Sequence, residues 1–502
     1  MRARAVNFWL LGAAASVACW TRPAHAYETE VDASIAAQYY VLSSPWGDPQ
    51  VRRRRYTETL GLSVWNIQGE QDPRGPRLSF QSRMRLDADF GQSSAERALG
   101  SPTYIPGLQE APLDLMYAYL EGQRYLDGYL GFRVGRQYVF DTLGFWSFDG
   151  GLVTLSTPAN LLFEAYAGLE QRGGGLPSLG TRRFESQGVY RGDRYGYDAG
   201  YYPLFLDESK VAPAAGLAVE ASGFGILHSR LSYRKVINRD TVNVSPFLDR
   251  GDGQLFLSGT RTSSERIGYS LRADSASVGA LNGSVVYDFY NQIFSQYALN
   301  ADAYVTSKVT LGARFDRYTP TFDGDSIFNW FSHSPTTSAL ARGDVRFSRR
   351  WSATLSGGVR WFETEGLTAS YLSDPDTTKT GRLYDVSLDA GARYDSGQGS
   401  LGVRGGGETG QRGHRLGADV TGRRRFSPRY DALCVLSLWD WSDALRPDRD
   451  ATSFGYVLGA GLTPSPNFFA RSRLGLELEH EMNRVVGQRF RALLTLDLTV
   501  LK

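Results

Sequence analysis

Apolar and polar residues alternate over long stretches of this chain, and the closing segment shows the pattern most plainly. From Arg489 to Lys502, Phe490, Ala492, Leu494, Leu496, Leu498 and Val500 share one parity, while Arg489, Arg491, Thr495, Asp497 and Thr499 share the other. Successive side chains of a strand point to opposite faces, so the segment predicts a strand with one apolar and one charged face. Residues 308–318 repeat it, with Val309, Leu311, Ala313 and Phe315 opposed to Arg314 and Asp316. In 381–396, Tyr384, Val386, Leu388 and Ala390 oppose Asp385, Asp389 and Arg393. Near the front, Phe80, Met84, Leu86 and Ala88 oppose Arg83, Arg85, Asp87 and Asp89; in 468–480, Leu474, Leu476 and Leu478 oppose Arg471, Arg473, Glu477 and Glu479.

These segments run about 10 to 14 residues, at or above the 9 to 11 that a tilted strand needs to cross a bilayer. Strands of soluble proteins average about 5 to 6. The loops add direction. Short turns at 276–280, 305–308, 348–350, 396–399, 427–429 and 465–467 alternate with long connections at 237–264, 319–338, 364–380 and 441–452. A barrel with short periplasmic turns, long outer loops and both termini in the periplasm has this rhythm. The expected fold is all-β, a single closed antiparallel transmembrane barrel with an even number of strands, about 18 to 24. Counting every candidate reaches the upper figure, including 195–202 and the weaker segments at 151–156 and 182–190.

Composition supports strands over helices: the 502 residues include 56 Gly, 28 Tyr, 26 Phe and 10 Trp. The N-terminus has its own logic. Arg2 and Arg4 precede an apolar run from Val6 to Ala18, and Ala24-His25-Ala26 follows, the pattern of a secretory signal peptide cleaved after Ala26. Residues 1–26 are thus a signal peptide and 27–502 an outer-membrane barrel. Cleavage removes Arg2, Arg4 and Arg22 and no acid, so the formal charge passes from +2 to −1 (+2 − 3). Nucleic acid is not an expected partner. Cys434 remains as a single cysteine, which excludes an intramolecular disulfide.

The charged parity defines the candidate site. Arg83, Arg85, Asp87, Asp89, Arg133, Gln137, Arg272, Arg314, Asp316, Arg360, Asp385, Asp389, Arg393, Arg415 and Asp419 are expected to line the lumen, as are Arg471, Arg473, Glu477, Glu479, Arg489, Arg491 and Asp497. Two roles suit them: salt bridges that stiffen the wall, and a polar surface whose guanidinium forks meet an anionic or hydroxyl-rich solute. Trp439 and Trp441 also have lumen parity, although their place at a strand end equally suits the interfacial aromatic girdle. Scattered histidines, with no H-E-x-x-H or G-x-S-x-G motif and no Cys/His cluster, point away from an enzyme, and no cofactor or metal is expected.

One stretch is motif-like: Gly131 to Leu155, GFRVGRQYVFDTLGFWSFDGGLVTL, in which Phe140 to Phe148 reads as an aromatic connection. Its G-R-Q followed by F-D-G resembles outer-membrane porins of the alginate-export type. That resemblance implies an integral barrel of an exopolysaccharide export system, with a polysaccharide chain in the lumen, a periplasmic export protein as partner and outer-membrane lipid around it. The expected function is polysaccharide translocation. The alternatives are a general or substrate-selective diffusion porin for small solutes and a structural or adhesive barrel.

Overall fold

A computed structural model describes residues 28–47, 49–69, 75–89, 113–171, 212–238, 242–243, 256–257, 260–321, 335–363, 382–444, 447–464 and 471–501. In the first half the strands are β1 (Glu28–Ser43), β2 (Pro49–Trp65), β3 (Arg77–Asp89), β4 (Leu113–Tyr125), β5 (Leu130–Asp141), β6 (Gly144–Ser156), β7 (Leu161–Glu170), β8 (Pro213–Phe224) and β9 (Leu227–Asn238). A two-residue pair, β10 (Val242–Asn243) and β11 (Phe256–Leu257), stands apart. Next come β12 (Arg261–Ser275), β13 (Gly279–Asp288), β14 (Ile293–Thr306), β15 (Val309–Tyr318), β16 (Thr336–Arg346), β17 (Trp351–Glu363) and β18 (Arg382–Asp395). The chain closes with β19 (Gly399–Gly410), β20 (Gly413–Arg425), β21 (Tyr430–Asp443), β22 (Ala451–Leu462), β23 (Arg471–Asn483) and β24 (Gly487–Leu501).

Apart from β10 and β11, these strands form one 22-stranded antiparallel sheet, and β24 pairs with β1 to close it. The seam runs from Glu30 opposite Leu501 to Ser43 opposite Gln488, so both ends of the barrel chain lie at the same rim. Closure pairs every strand on both sides and removes the open edges that a membrane would not tolerate. The expected barrel is therefore found. The thirteen strands expected after residue 264 are all present, whereas the segments at 182–190 and 195–202 lie outside the described residues.

The alternation sorts onto two faces. Each strand from β17 to β24 places at least one leucine on the outside, among them Leu355, Leu388, Leu401, Leu416, Leu438, Leu458, Leu476 and Leu494, each 46–60% exposed. A continuous apolar belt of this kind has the character of a lipid-facing surface. On the opposite face, ion pairs reach across an intervening strand: Arg83 to Asp32 over β2, Arg342 to Asp302 over β15, and Arg473 to Asp431 over β22. Side chains two strands apart converge on the concave side of a curved sheet and splay on the convex side. The charged face is therefore the inner one.

One hairpin leaves this wall. β5 is paired with β4 as far as Arg136 and β6 with β7 as far as Phe148, with Gln171 N–H still donating to the Ser147 carbonyl at 2.9 Å; nearer the tip the two strands pair with each other. The departure is marked by Gly135 opposite Gly150. Gly135 has φ of +128°, and a Cβ at Gly150 would meet the Ala167 carbonyl oxygen at 2.2 Å, so glycine is required at both. The projecting portion, residues 137–146, folds inward along the wall of β7, β8 and β9. Its tip reaches β12, where a Cβ at Gly268 would stand 2.8 Å from Leu143 Cδ2.

Candidate functional site

The inner face is built from charge pairs set at register positions. In two of the pairs that cross a strand, a glycine holds the middle position: Asp32–Gly61–Arg83 and Asp302–Gly312–Arg342 are each consecutive partners in the sheet. The bonds are 2.8 and 2.7 Å long. A Cβ at Gly61 would fall 2.0 Å from Asp32 Oδ1, and one at Gly312 2.7 Å from Asp302 Oδ1, so the missing side chain is what lets the ion pair lie flat over the strand. Gly461 does the same beneath Asp431 and Arg473, which are joined at 2.9 Å.

Most of the sequence-predicted residues take part in this network. Arg314 bonds Asp316 at 2.8 Å, Arg272 pairs with Asp274, and Arg393 bonds Asp395 at 3.0 Å. Arg360 reaches Glu408 at 3.0 Å and Asp389 accepts from Arg404 at 3.2 Å. On the closing strands Arg491 lies between Glu477 at 2.9 Å and Glu479 at 2.6 Å, and Arg489 pairs with Glu479 and Glu481. Asp497 stands opposite Arg473 and Arg471 opposite Thr499; Arg85 registers with Thr59 and Asp114. Asp87 and Asp89 belong to β3, with side chains outside the described residues.

Two residues are buried and not water-facing. Gln137 is completely buried, and its amide donates to the carbonyls of Gly150 at 3.0 Å and Arg133 at 3.3 Å, on the covered side of the inward hairpin. Asp385 is also buried, beside Gly410. Arg133 lies over the Tyr119 ring at 5.7 Å. The tryptophan at 439 is not a girdle residue: it donates to Asp419 at 2.9 Å and carries Arg415 over its ring at 4.5 Å.

Sequence reasoning missed the inward hairpin. One side of it packs on the barrel wall in an aromatic cluster, with Trp146 stacked on Phe148 at 4.5 Å and both against Tyr166. Arg234 on β9 secures it, donating to the Leu143 carbonyl at 3.1 Å and lying over the Trp146 ring at 5.4 Å. Trp146 Nε1 also donates to Glu170 at 3.0 Å. The other side is open. Phe140 and Phe145, directly opposite one another near the tip, are 78% and 64% exposed, and Tyr138 joins Phe145 to Tyr117 through ring contacts of 5.6 and 5.9 Å. Beneath the hairpin Arg230 is held by Glu164 at 2.7 Å and Glu220 at 3.2 Å.

No family model and no curated protein matches this chain. Among solved structures it is similar to OccD3 (OpdP) of Pseudomonas aeruginosa, with 11% identity over 94% of this chain and 91% of that one and a TM-score of 0.41. A BenF-like porin from Pseudomonas fluorescens Pf-5 gives 8% identity, 94% and 99% coverage and 0.41. The siderophore receptor PirA of P. aeruginosa gives 10%, 95% and 81%, and 0.48. At such identities the likeness is one of architecture. The expectation of polysaccharide export is not sustained: the functions named for these structures are those of a porin and a receptor.

Proposed function

We propose that this protein is an outer-membrane diffusion channel for small solutes, non-enzymatic, with the charged inner face as its lining and the β5–β6 hairpin narrowing its lumen. The observation that carries the reading is the sorting of faces around a closed ring, with leucine outside and paired charge inside. Barrels of 16 to 18 strands already leave an aqueous channel, and this one has 22. Guanidinium and carboxylate groups are interleaved along the lining, so the interior field is close to balanced and gives no strong preference for either sign of ion. The lining includes Arg314, Arg360, Asp389, Arg489 and Arg491. Export through a signal peptide ending at Ala26 delivers the chain to this membrane, the apolar belt meeting its lipid.

Reconstitution tests the reading. Purified protein in planar bilayers with potassium chloride should give steady conductance without any partner, with weak selectivity between cation and anion. Liposomes carrying it should swell in small neutral solutes and stay unswollen in long polymers. Bilayers that remain sealed at every voltage would refute the channel.

A further inference from the structure

We propose that three turns at one rim of the barrel form a docking surface for anionic phospholipid headgroups of the periplasmic leaflet. This goes beyond the channel reading and rests on its outer-membrane placement, not on conduction. The turns share one sequence pattern: Val305-Thr306-Ser307-Lys308-Val309, Phe347-Ser348-Arg349-Arg350-Trp351 and Phe426-Ser427-Pro428-Arg429-Tyr430 each run apolar, hydroxyl, any residue, base, apolar. They also share one geometry. The hydroxyl oxygen of Thr306, Ser348 or Ser427 accepts the backbone N–H groups two and three residues on at 3.1–3.3 Å, which tightens the turn and fixes the backbone of the basic residue. All three stand at the rim that holds Glu28 and Leu501, the periplasmic rim of the proposed channel.

Each turn presents an apolar flank to the lipid side. Val309, Trp351 and Tyr430 share strand parity with Leu311, Leu355 and Leu438 of the outer surface, and the residues that open the turns, Val305, Phe347 and Phe426, are 57%, 64% and 69% exposed. Such side chains are stabilised by entering the interfacial layer of a leaflet. The charge of the same turns is one-sided. Residues 305–309, 346–351 and 425–430 hold Lys308, Arg346, Arg349, Arg350, Arg425 and Arg429 and no acid, and none of these bases has an ion pair among the described residues. On the lumen wall, by contrast, Arg314, Arg360 and Arg491 are each held by a carboxylate. The turns are also stitched to their neighbours: Arg346 N–H donates to the Lys308 carbonyl, Asp395 N–H to that of Arg350 and Arg425 N–H to that of Gln398, at 2.7–2.8 Å, so the cations stand on one arc of fixed backbone. Exposed apolar side chains beside unpaired cations fit a phosphate-bearing lipid, whose chains meet the former and whose headgroup meets the latter. A soluble anion would use the cations alone.

Native mass spectrometry of the detergent-solubilised barrel, with phosphatidylglycerol and phosphatidylcholine added in equal amounts, tests this. Phosphatidylglycerol should be retained in preference. Neutralising three cations together, with Lys308→Gln, Arg350→Gln and Arg429→Gln, should cut that preference about tenfold or more, since each cation near an anionic lipid is worth roughly fivefold in affinity. Removing as many charges at the opposite rim, with Arg412→Gln, Arg449→Gln and Arg484→Gln, should leave it unchanged. Phe347→Ser with Phe426→Ser should weaken both lipids alike, and inorganic phosphate should displace neither. Heat-modifiable migration on gels checks that each variant is a folded barrel. A parent without preference for phosphatidylglycerol, an equal loss in the opposite-rim variant, or displacement by inorganic phosphate would overturn the lipid surface. A parent that retains phosphatidylglycerol but conducts nothing would instead refute the channel reading and leave this surface standing.

Discussion

At the scale of single residues, the inner face depends on what is missing as much as on what is charged. Asp32 and Arg83 meet over β2 because position 61 carries no Cβ, and Asp302 and Arg342 meet over β15 because position 312 carries none. Gly61→Ala should separate the first pair. The cost is small, about 0 to 1 kcal/mol, because both side chains are partly solvated and salt screens them; urea unfolding in detergent would measure it, with Gly283→Ala, where a Cβ has ordinary space, as the neutral control. Gly150→Ala is a different case, since its Cβ would strike backbone. Overpacking there should cost about 1 to 3 kcal/mol, read by the same assay. Of these partners the sequence reading singled out Arg83 by parity but not Asp32, Asp302, Arg342 or the glycines between them, because the pairing of three strands in register is a property of the assembled sheet.

At the scale of elements, alternation picked out strands such as β15, β18, β23 and β24, and the hairpin was not read. Phe140 to Phe148 reads as an aromatic connection, whereas β5 extends to Asp141 and β6 begins at Gly144. The reason is physical. Both faces of this hairpin are rich in aromatic residues, one to pack on Tyr166 and Val236 and one left open, so the contrast that marks a wall strand is lost. A wall strand behaves otherwise. Leu494→Arg, on the outer belt of β24, should destabilise the inserted barrel by about 2 to 4 kcal/mol if it lies near the midplane. Thr495→Arg on the inner face should fold as the parent does. Unfolding of both variants in lipid would show whether the two faces have been assigned the right way round.

At the scale of the whole molecule, closure is the decisive contact. The β1–β24 seam pairs the first barrel strand with the last, 14 residues deep. Deleting residues 487–501 should leave β1 and β23 with open edges and abolish the heat-modifiable folded form, whereas a comparable deletion in a connection between strands should not. A truncated chain that still inserts and resists heat would show that the seam is dispensable.

What the sequence by itself determined was local and periodic: strands such as β15, β18 and β24, short turns such as those at 348–350, 396–399 and 427–429, and that the chain closes as a barrel rather than a sandwich. Two-residue periodicity and strand length carry that information within each segment, and no partner strand is needed to read it. Tertiary structure alone decided the strand count of the described sheet, the glycine-spanned charge pairs, the burial of Gln137 and Asp385, and the inward course of the β5–β6 hairpin. Those features arise from contacts between residues far apart in the chain, such as Leu143 with Gly268 or Arg234 with Trp146, and their energies exist only once the sheet has curved far enough to bring its inner surface round to face itself.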